Sequence, residues 1–287
     1  FDQILSDLNF EFGHRKTHKL VLLKREHDLR KAEMDSERSD REILSWQDCV
    51  SRETALEGYR GDAAGGIWIA GDAVGDAARF SEQLVTYCET NFGVRFAFNA
   101  DVTKITPQGL GQHQLTLATG EIQSFDSVVV CTGVAGTKLL QSLDLRLPIY
   151  PVMGYSLTAP LGPNPPEVAI TDAGYKIVFS RIDDRIRIAG FADFGIASEE
   201  RRRQRVQDLI RTARTLIPDV ADYNRILSTW IGARPATPSS LPIVGSSKVP
   251  GIYLNMGHGM FGWTLSAGAA ERLADTIGPA THTSRAA

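Results

Sequence analysis

The stretch Gly257-His258-Gly259-Met260-Phe261-Gly262 decides the fold, because a strand enters it and a helix leaves it. The apolar run at 251–256 is typical of a buried strand. Residues 263–277 carry apolar side chains every four positions, which predicts a helix. A strand, a glycine-rich loop and a helix direct backbone N–H groups and the positive end of a helix dipole at an anionic or electron-rich ligand.

The glycine spacing also matches G-x-G-x-x-G, the fingerprint that binds dinucleotide phosphates. A working fingerprint opens a βαβ unit, and an acidic residue about 20 positions later holds the ribose. Here only Gly278-Pro279 and a short polar tail follow the helix, so no second strand is expected. We interpret the loop as the last βα unit of an α/β domain and as a cofactor contact. An ordinary loop without a ligand is the alternative.

Composition sets broad limits on the function. A chain of 287 residues with 43% hydrophobic and 23% charged residues is ordinary for a soluble globular protein of one or two domains. The net charge of -3 gives no reason to expect a nucleic-acid partner. Three scattered cysteines predict free thiols in a reducing compartment and no structural metal. No apolar run approaches the ~20 residues that span a bilayer, which leaves binding to a membrane surface open.

Two segments of the first half are relevant to a ligand site. The apolar run 125–133 predicts a parallel strand buried on both faces, and it ends in Thr132-Gly133. Open α/β sheets bind ligands at this end of their strands. A helix is expected at 77–91, with Leu84 and Phe92 on its inner face.

The second half predicts an antiparallel sheet with one wet face, because its strands alternate with polar residues. These strands are expected at 150–159, 175–181 and 185–190. A helix follows, capped by Ser198 and ended by Pro218. Its run Arg201-Arg202-Arg203 with Arg205 is interpreted as a solvated outer face, with a membrane-surface patch as the alternative.

Arg234 lies between Gly232 and Pro235, in a segment that Pro238 stiffens further. An arginine held on a rigid bend suits bidentate capture of a carboxylate. A surface arginine in a turn is the equally weighted alternative.

These segments together resemble a known family, in the same order throughout the chain. The matching motifs are Tyr150-Pro151-Val152-Met153-Gly154-Tyr155-Ser156, Tyr175-Lys176-Ile177, Trp230-x-Gly232-x-Arg234-Pro235-x-Thr237-Pro238, Pro242-Ile243-Val244-Gly245, and Gly257-His258-Gly259 with Gly262-Trp263-Thr264. The chain resembles the flavin-dependent D-amino-acid oxidase superfamily, and within it the bacterial D-amino-acid dehydrogenase small subunits.

The resemblance implies an α/β plus α+β fold in which an FAD-binding Rossmann-like domain is interleaved with an antiparallel-sheet substrate domain. Residues 1–65 and 148–233 would form the substrate domain, and residues 66–147 and 234–287 the FAD-binding domain. The family's amino-terminal βαβ unit, which holds the FAD pyrophosphate, has no counterpart before residue 66. The FAD-binding domain is therefore expected to be incomplete, with the missing unit trimmed away or supplied by another chain.

The resemblance also implies roles for individual residues. Arg234 matches the arginine that binds the substrate carboxylate, and Tyr155 and Tyr175 are candidates to line the substrate pocket. Residues near the flavin would include Val102 at the adenine and Thr132 with Gly133 at a strand end. The loop against the isoalloxazine ring would comprise Gly257, His258, Gly259, Met260, Gly262, Trp263 and Thr264. Met153 departs from the family, which has Lys or Arg there, so a polar role at that position is in doubt.

The implied activity is FAD-dependent oxidation of D-amino acids to 2-oxo acids and ammonia. Glycine, sarcosine, proline or hydroxyproline are alternative substrates. Electrons would pass to a respiratory quinone, so the expected location is cytoplasmic and peripheral on the inner membrane. Two rival hypotheses remain: a scaffold that does not hold FAD alone, and a nicotinamide-binding protein that uses Gly257–Gly262.

Overall fold

The computed structural model describes residues 8–34, 40–108, 112–195 and 198–278. These residues form two compact units. The cleft unit comprises residues 87–152 and 233–278, with residues 8 and 9. The large-sheet unit comprises Phe10–Thr86 and Met153–Gly232.

The elements alternate between strands and helices along the chain. The helices are α1 (Glu26–Met34), α2 (Trp46–Arg52), α3 (Ala77–Phe92), α4 (Gly136–Gln141), α5 (Glu199–Leu216) and α6 (Gly262–Ile277). The strands are β1 (Arg15–Leu23), β2 (Arg41–Ser45), β3 (Gly65–Val74), β4 (Val102–Thr106), β5 (His113–Leu117), β6 (Ile122–Phe125), β7 (Val128–Val130), β8 (Tyr150–Pro160), β9 (Ala169–Asp172), β10 (Ile177–Ile182), β11 (Arg185–Asp193), β12 (Ser228–Ala236), β13 (Ile243–Ser246) and β14 (Ile252–Met256).

The large-sheet unit is built on an eight-stranded sheet in the order β12-β8-β11-β10-β9-β1-β3-β2. Most neighbours are antiparallel, as predicted, but β1 and β9 are parallel. Alternate residues of the central strands form the core, and Leu157, Phe179 and Ile188 are fully buried. Each such side chain contributes about 1.5–3 kcal/mol relative to exposure.

Helix α5 covers this core because its apolar residues recur every three or four positions. Its buried residues are Val206, Leu209, Ala213 and Leu216. The side-chain oxygen of Ser198 caps the helix by accepting the Arg201 N–H at 3.3 Å, and Pro218 follows its end. Both helix boundaries were predicted from the sequence and are confirmed.

The cleft unit contains two three-stranded sheets, β13-β14-β7 and β4-β5-β6. Strands β14 and β7 are parallel, with Ile252 opposite Val128 and Leu254 opposite Val130. These residues share a core with Leu140 of α4. Helix α6 packs on β13 and β14. The predicted strand, glycine loop and helix of residues 251–277 are thereby confirmed.

Three details differ from the sequence predictions. The domain boundary expected at residue 66 is displaced, because β3 pairs with β1 and β2 and residues 66–86 group with the large-sheet unit. The run 125–133 forms only the three-residue β7, and Val129 is 39% exposed, so this strand is not covered on both faces. On α3, Leu84 and Phe92 are exposed, and only Phe80 is buried.

Among the described residues, no helix combines the length and the apolar character needed to cross a bilayer. The same residues contain no group of three or more His, Cys, Asp or Glu placed to hold a metal ion.

Candidate functional site

A cleft of about 330 Å³ opens in the cleft unit where β7 and β14 end and α6 begins. Its lining residues are Cys131, Gly133, Pro235, Asn255, Met256, Gly257, His258, Gly259, Gly262, Ser266 and Ala269. The carboxyl ends of two parallel strands therefore meet a glycine-rich loop and a helix N-terminus. This is the position at which open α/β sheets bind ligands.

Glycine is required in the loop because its backbone is left-handed. Gly257 has φ +81° and Gly259 has φ +55°. A Cβ on Gly257 would lie 2.8 Å from Cγ2 of Thr237. The N–H of Gly259 donates to the carbonyl oxygen of Pro235 at 2.9 Å, which fixes the loop against the residue after Arg234. The loop therefore forms a wall of the cleft that consists largely of backbone atoms and is held in place by this hydrogen bond.

The first turn of α6 favours a negatively charged or electron-rich ligand. Phe261 occupies the N-cap position, and its side chain makes no capping hydrogen bond. The hydroxyl of Ser266 donates to the Trp263 carbonyl oxygen at 2.8 Å, so it does not act as a cap. An uncapped helix N-terminus carries about half a positive charge and stabilises negative charge placed near it.

His258 is half-buried in the wall of the cleft. Desolvation lowers the pKa of its imidazole below the ordinary value. The ring is therefore neutral at pH 7, and the positive potential here comes from the helix N-terminus.

Asn255 carries a buried amide oxygen that has no hydrogen-bond partner among the described residues. It lies on β14, on the face opposite the core residues Leu254 and Met256. A buried acceptor without a donor costs about 1–3 kcal/mol. The orphaned oxygen, the thin glycine wall and the uncapped helix fit a flat ring system that carries N–H donors and takes up negative charge. The isoalloxazine of FAD is such a ring system.

Five of the predicted cofactor residues line this cleft: Gly133, Gly257, His258, Gly259 and Gly262. The others lie outside it. Thr132 and Thr264 are exposed, Met260 is 67% exposed and Trp263 is half-buried. Val102 lies in β4, where it pairs with Leu117. The structure thus brings these five residues together at one cleft, and a cofactor role for all of the predicted residues stays a prediction.

The predicted catalytic residues fall in both units. Arg234 is half-buried on β12 in the cleft unit, next to Pro235, and it does not line the cleft. In the large-sheet unit, Tyr155 is 1% exposed, its ring meets Phe191 edge-on with centroids 6.3 Å apart, and burial raises its pKa. Tyr175 is 39% exposed in a turn, where its N–H donates to Asp172 at 3.0 Å. A substrate contact by either tyrosine remains a prediction.

Several lining residues were not predicted: Cys131, Pro235, Asn255, Met256, Ser266 and Ala269. A signal existed for two of them. Asn255 is a polar residue inside an apolar strand, and Ser266 lies one helical turn after Gly262 on the same helix face. The contribution of Cys131 depends on the β7–β14 pairing, which the sequence does not reveal.

Comparison with known proteins places the chain among flavin enzymes. The family described as FAD dependent oxidoreductase, abbreviated DAO, matches residues 1–276. The D-amino acid dehydrogenase of Chromohalobacter salexigens is 34% identical over 286 residues, which cover 96% of this chain and 67% of that protein. The D-amino acid dehydrogenase of Neisseria gonorrhoeae is 34% identical over 279 residues, which cover 95% and 65%. The chain spans about two thirds of the length of these relatives.

Solved structures share the fold at lower identity. Glycine oxidase from Geobacillus kaustophilus superposes with a TM-score of 0.79 and 20% identity, covering 96% of this chain and 74% of that one. At this identity the likeness concerns the fold alone.

Proposed function

The chain belongs to the DAO family of FAD-dependent oxidoreductases, and from that premise we propose that it oxidises D-amino acids to 2-oxo acids and ammonia. The observation that carries this proposal is the cleft at the uncapped N-terminus of α6, with its orphaned Asn255 oxygen. When bound, FAD supplies the hydride acceptor for oxidation at the amino-acid Cα. The protein supplies binding, orientation and electrostatics.

In this proposal the cleft holds the reactive ring of the cofactor. Gly257, Gly259 and Gly262 let the backbone approach closely, and the α6 N-terminus stabilises the negative charge of the reduced ring. The neutral imidazole of His258 occupies part of the cleft wall and adds no charge there. Thr132, Met260, Trp263 and Thr264 would extend the contact, and Val102 would contact the adenine.

Arg234 would hold the substrate carboxylate through a bidentate, charge-assisted pair of hydrogen bonds. Tyr155 and Tyr175 would line the substrate pocket. The matched motifs contain no Asp, Glu or His that stands out as an obligatory base, which suits hydride transfer from a neutral amine. The resulting imino acid hydrolyses in water to the 2-oxo acid and ammonia.

We also propose partners and a location from the same relationship. A respiratory quinone would accept the electrons, with the protein in the cytoplasm and peripheral on the inner membrane. An amino-terminal segment or a second chain would hold the FAD pyrophosphate. The relatives' extra third of length supports this part of the proposal.

Visible absorption tests the cofactor first. The purified chain is mixed with FAD, passed through a desalting column and scanned for the flavin band. A retained band supports the proposal. A colourless protein supports the alternative in which the chain alone is a scaffold, and tight NADH binding without flavin would favour the nicotinamide alternative.

Anaerobic bleaching of the flavin band then tests the substrate. D-Alanine is compared with L-alanine, glycine, sarcosine, D-proline and hydroxyproline at equal concentration. Faster bleaching by D-alanine than by the others is expected. Faster bleaching by glycine or sarcosine would identify an amine oxidase of another specificity within the same family.

A further inference from the structure

A continuous groove runs along one side of α5 in the large-sheet unit. It consists of three adjoining depressions of about 480, 460 and 430 Å³. Gln207 and Thr229 line both the first and the second, and Arg214 and Tyr223 line both the second and the third. From the first depression to the third, the residue numbers of the α5 lining rise, whereas the residue numbers of the opposite wall fall. The helix and the segment 221–231 therefore run antiparallel, side by side.

The opposite wall continues into the open edge of the sheet. Strand β12 is terminal in the sheet order, with β8 as its neighbour. Just before β12, the N–H of Leu227 donates to Thr158 of β8 at 2.8 Å. Backbone groups alternate between the two edges of a strand. Those of Ser228 and Trp230 consequently face away from β8, on the side of β12 where the described residues supply no further strand.

The helix wall carries a stripe of cationic and polar side chains. Arg203, Gln207 and Arg211 follow one another at intervals of four residues and line the groove. Helix α5 contains six arginines and three acidic residues, a net charge of +3 in a chain whose net charge is -3. The groove lining itself contains Arg203, Arg211 and Arg214 against Glu200 and Asp222, a net charge of +1, so it favours anionic over cationic groups.

Two of these arginines can exchange their present ion-pair partners for an acidic ligand. Arg203 pairs with Glu199 at 2.9 Å, but the two side chains are 71% and 76% exposed. Such an exposed pair on a helix surface contributes little to stability, because solvent screens it. Arg211 pairs with Asp208 and is 67% exposed. Arg205, by contrast, is 30% exposed and donates two hydrogen bonds to Asp193. It therefore stabilises the fold and is not available to a ligand.

We propose that this groove binds an extended acidic segment of a partner protein, which adds to the edge of β12 as a further strand. Successive stripe residues of α5 lie about 6 Å apart, from a rise of about 1.5 Å per residue. Alternate residues of a strand lie about 6.6 Å apart. A segment with acidic residues at alternating positions therefore matches Arg203 and Arg211 while its backbone pairs with β12. This combination of strand pairing and side-chain pockets is a general mode of peptide recognition.

Other occupants fit the groove less well. A bilayer surface would offer anionic headgroups to the arginines but no strand that could pair with the edge of β12. A second copy paired through the same edge would bring its own cationic α5 to the same place. An acidic strand would pair with the backbone of β12 and would also bring negative charge to the arginines of α5.

Fluorescence anisotropy with a synthetic probe tests the proposal. The probe is a fluorescein-labelled peptide with four repeats of glutamate and valine, and the control peptide has lysine in place of glutamate. Arg211→Glu should weaken binding of the acidic peptide at least tenfold. Arg201→Glu changes the same charge on the same helix outside the groove lining and should weaken it less than threefold. The lysine peptide should not bind.

A second pair of variants tests strand pairing without changing charge. Ser228→Pro removes one N–H from the open edge and should weaken binding at least fivefold, whereas Ser228→Ala should stay within twofold. Circular dichroism checks folding, and the arginine pair decides the matter if the proline variant is unfolded.

Four results would overturn the proposal. The first is the absence of saturable binding at low salt, and the second is an equal loss in the Arg201 and Arg211 variants. The third is a dimer in sedimentation velocity that Ser228→Pro dissociates, which would assign the edge to a second copy. The fourth is binding to phosphatidylglycerol vesicles without any peptide binding, which would assign the cationic stripe to an anionic surface.

Discussion

The N–H of Gly259 donates to the carbonyl oxygen of Pro235 at 2.9 Å, and this bond joins the glycine loop to the strand that carries Arg234. The loop precedes α6, and Arg234 precedes Pro235. One hydrogen bond thus ties the proposed cofactor wall to the proposed carboxylate-binding residue. Orientation errors of about 1 Å in such an arrangement reduce rates by up to about 10²-fold.

Gly257→Ala should destabilise the cleft unit and weaken FAD binding. The left-handed backbone at φ +81° costs a non-glycine residue about 1–3 kcal/mol, and the new Cβ would lie 2.8 Å from Thr237. Urea unfolding and FAD titration measure the two effects. Gly268→Ala is the control, because no atom lies within 4 Å of its Cβ position and α6 should gain about 0.5–1 kcal/mol. Equal stability of the two variants would contradict the loop geometry.

Arg234→Ala should lower kcat/KM for D-alanine by orders of magnitude in a flavin-loaded protein. The substitution removes a charge-assisted bidentate contact with the substrate carboxylate, and the orientation of the substrate is lost with it. Arg234→Lys keeps the charge but not the planar fork, so it should recover only part of the loss. Steady-state kinetics measure both variants, and FAD affinity should stay unchanged. A loss below about threefold, which is less than 1 kcal/mol, would remove Arg234 from this role.

His258 should make the protein less stable as the pH falls below neutrality. Its folded-state pKa is lowered by desolvation, so the unfolded chain binds the proton at a higher pH than the folded chain does. The neutral ring is fully compatible with the fold above the ordinary histidine pKa. Stability is lost as the pH falls from that value toward the lower folded pKa. Thermal melts of the protein and of His258→Gln should therefore converge or cross between about pH 7 and pH 5. Parallel curves over that range would show that desolvation does not act on this ring.

The elements were predictable from the sequence wherever the signal is local. Glycine spacing and a four-residue apolar period sufficed for the loop and α6. The exposure of Leu84 and Phe92 was not predictable, because periodicity identifies an apolar face but not what packs on it. The same reason explains Cys131 and Asn255, which reach the cleft only through the pairing of β7 with the distant β14. The glycines, in contrast, were predicted from a local spacing and do line the cleft, whereas the substrate role of Arg234 stays a prediction.

Asn255→Leu should separate stability from cofactor binding. The described part of the chain gives the buried amide oxygen no donor, so an apolar side chain of similar size should leave stability unchanged or raise it by about 1 kcal/mol. FAD binding should weaken, because the oxygen is proposed to accept a hydrogen bond from the ring. Thr171→Val is the matched control: its hydroxyl is also buried and finds no partner in the chain as far as it is described, but it lies on β9 in the large-sheet unit. That variant should gain stability and keep its FAD affinity. Urea unfolding without FAD and fluorescence titration with FAD give the two quantities. If Asn255→Leu binds FAD as tightly as Thr171→Val does, the orphaned oxygen does not face the cofactor.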